Sequence, residues 1–238
     1  MATGKPLLKL QEVGPEQFVA AMDLQMRTFI AINERLHSLL FPGDPNTDPA
    51  AVEACAKRFE AGRVADERAG AELKYWQAID VQSGEMAGCA LWEFWPNGKP
   101  EQTGGEVTWV PDADTDKGIR GGELWRKYTQ WAVDRQHGLR AKHIEGPYAQ
   151  LEVCFTSGAH QRKGAGSLVI DAGLARAEEL GLDCFIEASP QGRLLYETRG
   201  FRCIEEFTPQ VPSELEETSE GIPIEYSFMK RPAGGWQD

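Results

Sequence analysis

The sequence predicts a single domain of the α/β class. Its 238 residues are 41% hydrophobic, which is enough to bury a sizeable core. Between residues 151 and 180, an apolar run, a turn that contains glycine and an amphipathic run follow one another, which is typical of a strand, a loop and a helix. Two further apolar runs, 73–81 and 86–95, flank Gln82-Ser83-Gly84-Glu85 and predict a β-hairpin. By its length alone, the chain suits one large domain or two small ones.

The other elements follow from the same periodicities. Apolar residues recur near the helical period after Pro15, and Pro42-Gly43-Asp44-Pro45 marks a turn-rich segment before the next helix. In chain order, the further predicted elements are a strand at 7–13, a helix from Pro15, a helix at 49–61, a helix at 123–136, a strand at 184–188, a strand at 202–207 and a last strand at 224–229.

The segment 96–147 is long for a connection between neighbouring strands. About 50 residues far exceed an ordinary connection, and an insertion of that length usually carries function or a lid. Its predicted helix bears three large aromatic residues, which either line a hydrophobic pocket or pack the helix onto the sheet; packing is favoured for each. They are Trp125, Tyr128 and Trp131.

The protein is strongly acidic, with a formal net charge of −12. This charge argues against nonspecific binding to nucleic acid or to an anionic membrane, because both reward basic patches. It favours a cationic small ligand, or it serves solubility alone. The sequence shows no basic segment followed by an apolar stretch at its start and no apolar run of membrane-spanning length. We therefore expect a soluble, cytoplasmic protein.

Neither a disulfide framework nor a metal site is expected. The five cysteines are scattered and several lie in predicted strands, which favours buried free thiols. The four histidines lack metal-ligand spacing. Asp112, Asp114 and Asp116 resemble a calcium-binding loop, but the glycine and the final glutamate of such a loop are not at the required spacing. A solvated loop is expected there.

The run Gln161-Arg162-Lys163-Gly164-Ala165-Gly166 joins the predicted strand to the predicted helix. A helix start presents unpaired backbone N–H groups, and together with the helix dipole they favour an anion. Gly164 and Gly166 let a bulky phosphate approach the backbone, while Arg162 and Lys163 add positive charge. The run predicts a phosphate-binding loop, although a strand, a glycine turn and a helix also occur as ordinary structure.

Two known phosphate motifs do not fit this run. The dinucleotide fingerprint requires a third small residue where Val169 stands. The P-loop requires glycine followed by lysine and then serine or threonine, whereas Gly166 is followed by Ser167-Leu168.

Two motifs together resemble those of the GNAT (Gcn5-related) N-acetyltransferases. Gln161-x-x-Gly164-x-Gly166 is similar to that family's Gln/Arg-x-x-Gly-x-Gly/Ala motif. Downstream, Leu195-Tyr196-Glu197 followed by Gly200-Phe201 looks like its Leu-Tyr-x-x-x-Gly-Phe signature, at the spacing the family shows. The close match covers about 55 residues, 151–207. The resemblance implies one domain, 1–238, with a mixed, mostly antiparallel sheet, helices on both faces and an insertion at about 96–147.

The resemblance also implies acetyl-CoA as co-substrate and indicates which residues bind it. Pantetheine would pair with backbone groups around Cys154 and Thr156, where the strand is expected to part from its neighbour. The pyrophosphate would contact the backbone amides at the helix start. The implied cofactor-binding residues are Cys154, Thr156, Gln161, Arg162, Lys163, Gly164, Ala165, Gly166, Ser167 and Ser189. Ser189 is further expected to cap the helix that carries Tyr196.

Two side chains are expected to move protons. Tyr196 would protonate the departing CoA thiolate, since a phenol has a pKa near ~10; the alternative is a half-buried aromatic residue beside Leu195. Glu152 is the expected general base. Gln150 stands where histone-type members of the family carry a glutamate, and Glu152 shares its strand face. Glu187 is the next candidate.

These inferences lead to an acetyl-CoA-dependent N-acetyltransferase. It would transfer the acetyl group to an amine, with a small molecule as the favoured acceptor, by direct attack on the thioester. The alternative is a GNAT-like domain that binds CoA or an acyl-CoA without transfer, as a sensor or interaction protein. A structural protein without a cofactor is a third reading. No metal, nucleic acid or membrane partner is expected.

Overall fold

The structure, a computed structural model, describes residues 7–100, 106–110, 122–216 and 224–237. Within these residues, seven strands form one sheet in the order β1-β2-β3-β4-β5-β7-β6. The strands are β1 (Leu8–Glu12), β2 (Glu72–Asp80), β3 (Met86–Trp95), β4 (Tyr148–Thr156), β5 (Asp183–Ala188), β6 (Arg202–Phe207) and β7 (Tyr226–Arg231). The α-helices are α1 (Phe18–Ala31), α2 (Arg35–Leu40), α3 (Pro49–Ala69), α4 (Gly122–His143), α5 (Ala165–Leu180) and α6 (Arg193–Glu197).

The sheet is mixed and mostly antiparallel, which confirms the fold class expected from the sequence. β4 and β5 run parallel, and the other neighbouring strands are antiparallel. The parallel pairing is short. Residues 148–150 of β4 pair with residues 183–185 of β5, and the described chain shows no pairing of the two strands beyond them. The sheet therefore opens along the second half of β4.

Helices cover both faces of the sheet. On one face, Val169 and Ile170 of α5 are buried against Trp92 of β3 and its neighbours. On the other face, Tyr128 of α4 packs with Trp95 of β3 in a second cluster, and α1 to α3 complete this layer. Successive residues of a strand point to opposite faces, so β3 supplies both cores.

The close approach of α5 to the sheet depends on a glycine. A Cβ atom at Gly173 would lie 2.1 Å from the indole ring of Trp92, and that ring is fully buried. A larger residue would have to displace either the ring or the helix. Gly173 therefore fixes how α5, and the loop at its start, sit on the sheet.

Three helices differ from the sequence expectations. α2 was not predicted; it begins where the Glu34 carboxylate accepts hydrogen bonds from the backbone N–H groups of Leu36 and His37. α3 continues past residue 61 and ends at Gly70, whose φ of 108° is left-handed. α4 extends to His143. The extra turns of α3 are largely exposed, so they carry no apolar period for a sequence pattern to reveal.

The described part of segment 96–147 consists mainly of α4. Trp125 and Tyr128 are buried in the core and Trp131 packs against it, so these aromatic residues have the packing role that was favoured. Outside the described residues lie Asp112, Asp114 and Asp116. None of the described helices is long and apolar enough to cross a membrane.

Candidate active site

A cavity of about 380 Å³ lies where β4 and β5 part. Strands β3, β4, β5 and β7 and helices α2, α3, α4 and α6 all contribute to its walls. Four residues expected at the site from the sequence line it together: Glu152, Cys154, Ser189 and Tyr196. The opening in the sheet thus forms part of a cavity lined by polar and apolar residues.

β4 carries a bulge at the wall of this cavity. Leu151 lies opposite Trp92 and Val153 lies opposite Leu91, so Glu152 has no partner on β3. A bulge bends the strand and removes one residue from the regular ladder of hydrogen bonds. The bulge falls just after Gln150, the last residue of β4 that pairs with β5. The regular backbone pairing of β4 is thus interrupted on both sides at this point.

Arg140 of α4 joins two carboxylates across the opening. Its guanidinium donates hydrogen bonds to Glu152 at 2.7 and 3.2 Å and to Glu187 of β5 at 2.6 and 2.9 Å. Gln150 Nε2 donates a further bond of 2.9 Å to Glu187. Charge-assisted bonds of this bidentate kind fix the geometry of both partners. Arg140 therefore links the separated strands through side chains where their backbones no longer pair.

This ion pair weakens the case for Glu152 as a base. Burial acts to raise the pKa of Glu152, but the charge and hydrogen bonds of Arg140 outweigh burial, and the pKa is lowered. A carboxylate with a lowered pKa, both of whose oxygens already accept hydrogen bonds, is a weak proton acceptor. Glu187, the second candidate, is held by the same guanidinium. The geometry thus gives both carboxylates a role in positioning Arg140.

Glu93 is a cavity residue that the sequence reasoning missed. It lies on β3 opposite Gln150, and the residue is 7% exposed. Trp95 Nε1 donates a 2.9 Å hydrogen bond to Glu93 Oε2, and Lys99 Nζ lies 3.8 Å from the same oxygen. Burial raises the pKa of Glu93 to about 8, and the nearby charge of Glu152 acts in the same direction. The signal in the sequence was a lone charged residue within the apolar run MAGCALWEFW.

One wall of the cavity is aromatic. The ring of His37 stacks between those of Phe29 and Phe41, with centroid separations of 4.2 and 4.6 Å. Phe59 lies edge-on to Phe41. Burial, reinforced by the charge of Arg58, lowers the pKa of His37 to about 3, so this ring is neutral at physiological pH.

Several buried polar atoms of the cavity lining lack a hydrogen-bond partner among the described residues. They include His37 Nδ1, Arg63 Nε, Trp109 Nε1 and the hydroxyl oxygen of Tyr226. Buried polar groups are nearly always hydrogen-bonded in folded proteins, and each exception costs free energy. Their presence around one cavity is typical of a surface that binds a ligand with polar groups of its own.

Tyr196 lies in α6 and closes the cavity near Cys154. Its side chain is buried, and its ring packs edge-on against Phe201 at 6.2 Å between centroids. Burial raises its pKa well above the ordinary value for a phenol, and Cys154 beside it adds to this effect. The hydroxyl therefore keeps its proton throughout the physiological range.

The start of α5 presents open amide groups. Gly164, the N-cap residue, has a φ of 100°, and Arg162 also has a positive φ of 58°. In the described chain, no hydrogen bond is recorded from the backbone N–H groups of Arg162, Gly164, Ala165, Gly166 and Ser167. Residues 161–164 are exposed. Open amides at a helix start favour an anion, so the anion site expected from the sequence stays a prediction with suitable geometry.

The loop that enters α5 is tied to the β2–β3 hairpin. His160 Nδ1 lies 2.7 Å from Ser157 Oγ, and His160 Nε2 lies 3.2 Å from Asp80 Oδ2. His160 is buried, so these contacts hold the loop from within. The short helical turn at residues 158–160 is thereby fixed ahead of the open amides.

Ser189 does not cap α6 as expected. The helix begins later, at Arg193, with Gly192 as its N-cap, and the Ser189 hydroxyl accepts a 3.3 Å hydrogen bond from the Gly192 N–H group in the preceding turn. Pro190 is followed by this turn instead of by the first turn of the helix. Ser189 nevertheless lines the cavity.

The end of β4 connects the cavity to the loop. Cys154 lines the cavity, whereas Thr156, two residues on, lies beside the first turn of α5: a Cβ atom at Gly166 would be 3.2 Å from Thr156 Oγ1. Gln161 and Lys163 lie in the exposed part of the loop, away from the cavity wall. The predicted site residues thus form two groups, one at each end of the free edge of β4.

Comparisons of the whole chain with known proteins agree with this geometry at the level of the fold. No protein-family model and no curated protein sequence matches the chain. Among solved structures, it resembles histone acetyltransferase HPA2 and related acetyltransferase from Corynebacterium glutamicum, with 20% identity, a TM-score of 0.55 and coverage of 95% of this chain and 97% of the other. It also resembles arylalkylamine N-acetyltransferase 2 from Aedes aegypti, with 12% identity and a TM-score of 0.59. This match covers 95% of this chain and 99% of the other.

A third similar structure is the C-terminal condensation domain of Ebony in complex with β-alanyl-dopamine, at 13% identity and a TM-score of 0.60, covering 95% of this chain and 99% of that one. At such identities, structural likeness concerns the fold alone. The sheet order, the opening between β4 and β5 and these similarities show that the chain has a GNAT-like fold.

Proposed function

We propose that the protein is an acetyl-CoA-dependent N-acetyltransferase whose acceptor is the amine of a small molecule. The observation that carries this proposal is the free edge of β4, which leads from a lined cavity to a helix start with open amide groups. A CoA molecule has a diphosphate at one end and a thioester at the other. The edge of β4 offers a suitable partner to each end and backbone groups between them.

In this proposal the residues of the loop hold the cofactor. The amides of Gly164, Ala165, Gly166 and Ser167 donate to the diphosphate, and Arg162 and Lys163 add positive charge. Gln161 borders the same loop. Backbone groups at Cys154 and Thr156 pair with the amides of pantetheine, which places the acyl group in the cavity beside Tyr196 and Ser189.

The chemistry then requires an amine and two proton movements. The neutral amine nitrogen forms a bond to the acetyl carbonyl carbon, the carbon–sulfur bond breaks, and Tyr196 supplies a proton to the sulfur. The nitrogen loses one proton as the amide forms, and that proton replaces the one that Tyr196 gave. Because burial raises the pKa of Tyr196, its hydroxyl is protonated when the thiolate forms. The geometry of the opening between β4 and β5 is maintained by the side chains of Arg140, Glu152 and Glu187.

The walls favour an amine attached to an apolar or aromatic body. Phe29, Phe41 and Phe59 line the cavity, and so do the carboxylates of Glu93, Glu152 and Glu187. A protonated amine is attracted to such a site before it loses its proton. The similarity to an arylalkylamine N-acetyltransferase is consistent with this class of acceptor, although the proposal stands on the walls themselves.

The proposal is tested with acetyl-CoA and a panel of arylalkyl, alkyl and polyamines, by measuring released thiol. We expect turnover with at least one amine that has an apolar body. Calorimetric binding of CoA without thiol release from any amine would instead support a CoA-binding module. Absence of CoA binding would contradict both.

A pair of variants tests the loop. Gly164→Val introduces a β-branched residue at a positive φ among the open amides, and we expect it to abolish CoA binding in calorimetry. Gly181→Val is the matched control: Gly181 has a φ of 65°, has open space around its Cβ position and lies at the other end of α5. Equal affinity of both variants for CoA would overturn the assignment of the loop.

A further inference from the structure

We propose that Glu93 accepts the proton of the acceptor amine. This inference rests on the proposed function and names a residue for a step that the sequence assigned to Glu152. Its basis is the arrangement of the carboxylates around the cavity and the position of Glu93 beside the opening of the sheet.

Four of the five acidic residues that line the cavity within the described chain are committed to other partners. Glu152 and Glu187 share the guanidinium of Arg140. Glu34 caps α2 through both of its oxygens. Asp66 forms an ion pair of 3.1 Å with Lys99 and is partly exposed. The fifth residue is Glu93.

Glu93 keeps one oxygen available. Its Oε2 atom accepts the hydrogen bond of Trp95 and faces Lys99. For Oε1 the described structure records no hydrogen bond, and this atom is not among the buried unsatisfied ones, so it borders the open space of the cavity. Because Trp95 fixes the other oxygen, the free one has a defined direction.

The position of Glu93 on β3 suits this role. It is directly opposite Gln150, where β4 leaves β5, and next to the pair that precedes the bulge at Glu152. Neighbouring strands lie about 4.8 Å apart, so a side chain on β3 reaches the space in front of β4 directly or through one water molecule.

The proton balance is simple. An ammonium N–H bond breaks and its proton passes to Glu93, and the neutral nitrogen attacks the acetyl carbon. As the carbon–sulfur bond breaks, Tyr196 protonates the departing thiolate. The nitrogen then loses its second proton, which passes through water to restore the Tyr196 hydroxyl. Glu93 returns its proton to solvent after product release. A base works best with a pKa near the working pH, and burial raises that of Glu93 to about 8. The charged groups that face it are Lys99, Asp66 of α3, Glu152 of β4 and, through Glu152, Arg140 of α4.

The test is Glu93→Gln, because glutamine keeps an acceptor for Trp95 and removes only the base. We expect kcat/KM for the amine to fall by ~10²–10⁴. The rise of kcat/KM with pH through about 8 should disappear, while the affinity for CoA is unchanged. Glu93→Asp should retain the rise with pH at a lower rate, which a purely structural role would not produce. Glu85→Gln, the same change in the exposed turn of the hairpin, is the control.

The outcomes are distinct. If the wild-type protein turns over amines and Glu93→Gln keeps its rate and pH profile, the inference is wrong and the proposed function stands. If Glu152→Gln removes the rise with pH and Glu93→Gln does not, the base is Glu152. If the wild-type protein binds CoA but acetylates no amine, the proposed function fails and this inference fails with it.

Discussion

The pKa of a carboxylate at this site is determined by the groups next to it. Arg140 gives Glu152 and Glu187 opposite charge and hydrogen bonds, whereas Glu93, at a similar depth, has only Trp95 and a more distant ammonium. The same chemical group therefore has a lowered pKa at residue 152 and a raised one at residue 93. Pairs of titratable groups pushed in opposite directions are characteristic of sites that move protons.

Tyr196→Phe should lower turnover by ~10²–10⁴ and leave CoA affinity nearly unchanged, because only the proton donor is lost. Phenylalanine keeps the contact with Phe201, so the packing of α6 is preserved. Tyr75→Phe, at a buried tyrosine of β2 outside the cavity wall, provides the matched control. For both variants, steady-state rates measure the turnover and calorimetry measures the affinity for CoA. A Tyr196→Phe enzyme as fast as the wild type would remove the hydroxyl from the mechanism.

At the scale of elements, α5 has to be placed accurately, because its first turn carries the open amides. Its position is set by the contact of Gly173 with Trp92 in the middle of the helix. The loop before it is set by His160, which contacts both Ser157 and Asp80. If a phosphate binds at the helix start, as proposed, its binding depends on packing more than one helical turn away.

Gly173→Ala tests this dependence. The added methyl group would overlap the buried indole, and we expect a loss of ~1–3 kcal/mol in the free energy of unfolding together with weaker CoA binding. Gly138→Ala in α4 meets open space and should be neutral or stabilising by up to ~1 kcal/mol, since alanine favours the helix. Chemical denaturation and calorimetry measure the two effects. Equal stability of the two variants would contradict the account of α5.

For the whole molecule, the raised pKa of Glu93 makes stability depend on pH. The folded state holds this proton more tightly than the unfolded chain does. Its contribution to stability is therefore complete below the ordinary pKa of 4.5 and is lost as pH rises through about 8. Asp80 and Glu152, whose pKa values are lowered, act in the opposite sense.

A comparison of a variant with the wild type cancels the contributions of these other groups to stability, because both proteins contain them. Glu93→Gln should be more stable relative to the wild type at pH 9 than at pH 5, by on the order of a few kcal/mol, because glutamine carries no charge to bury. Urea denaturation at the two pH values measures the difference. The Glu85→Gln control should show the same offset at both. A Glu93→Gln offset that does not change with pH would show that Glu93 titrates normally.

Local patterns allowed the fold class and the strand, turn and helix around the candidate phosphate loop to be predicted. The glycine turn, the strand before it and the amphipathic run after it lie within some thirty residues of one another, so this segment could be identified from the sequence alone. Its binding of phosphate stays a prediction. The rest of the site is assembled from distant segments. Arg140 reaches partners 12 and 47 residues away, and no sequence spacing reveals such contacts. The start of α2 depends on the unusual Glu34 cap. The properties of Glu93 depend on its burial, which its apolar neighbours in the sequence indicate only weakly.

The short pairing of β4 with β5 has a wider consequence. Three residue pairs join the two strands. The sheet therefore consists of two halves, β1-β2-β3-β4 and β5-β7-β6, that share little backbone hydrogen bonding. Any molecule whose amides pair with the exposed strand edges would act as an additional strand between the halves. As the fraction of protein with this molecule bound increased, the two halves would unfold more cooperatively. Amide protons on both sides of the gap would then exchange with solvent more slowly as the ligand concentration rises.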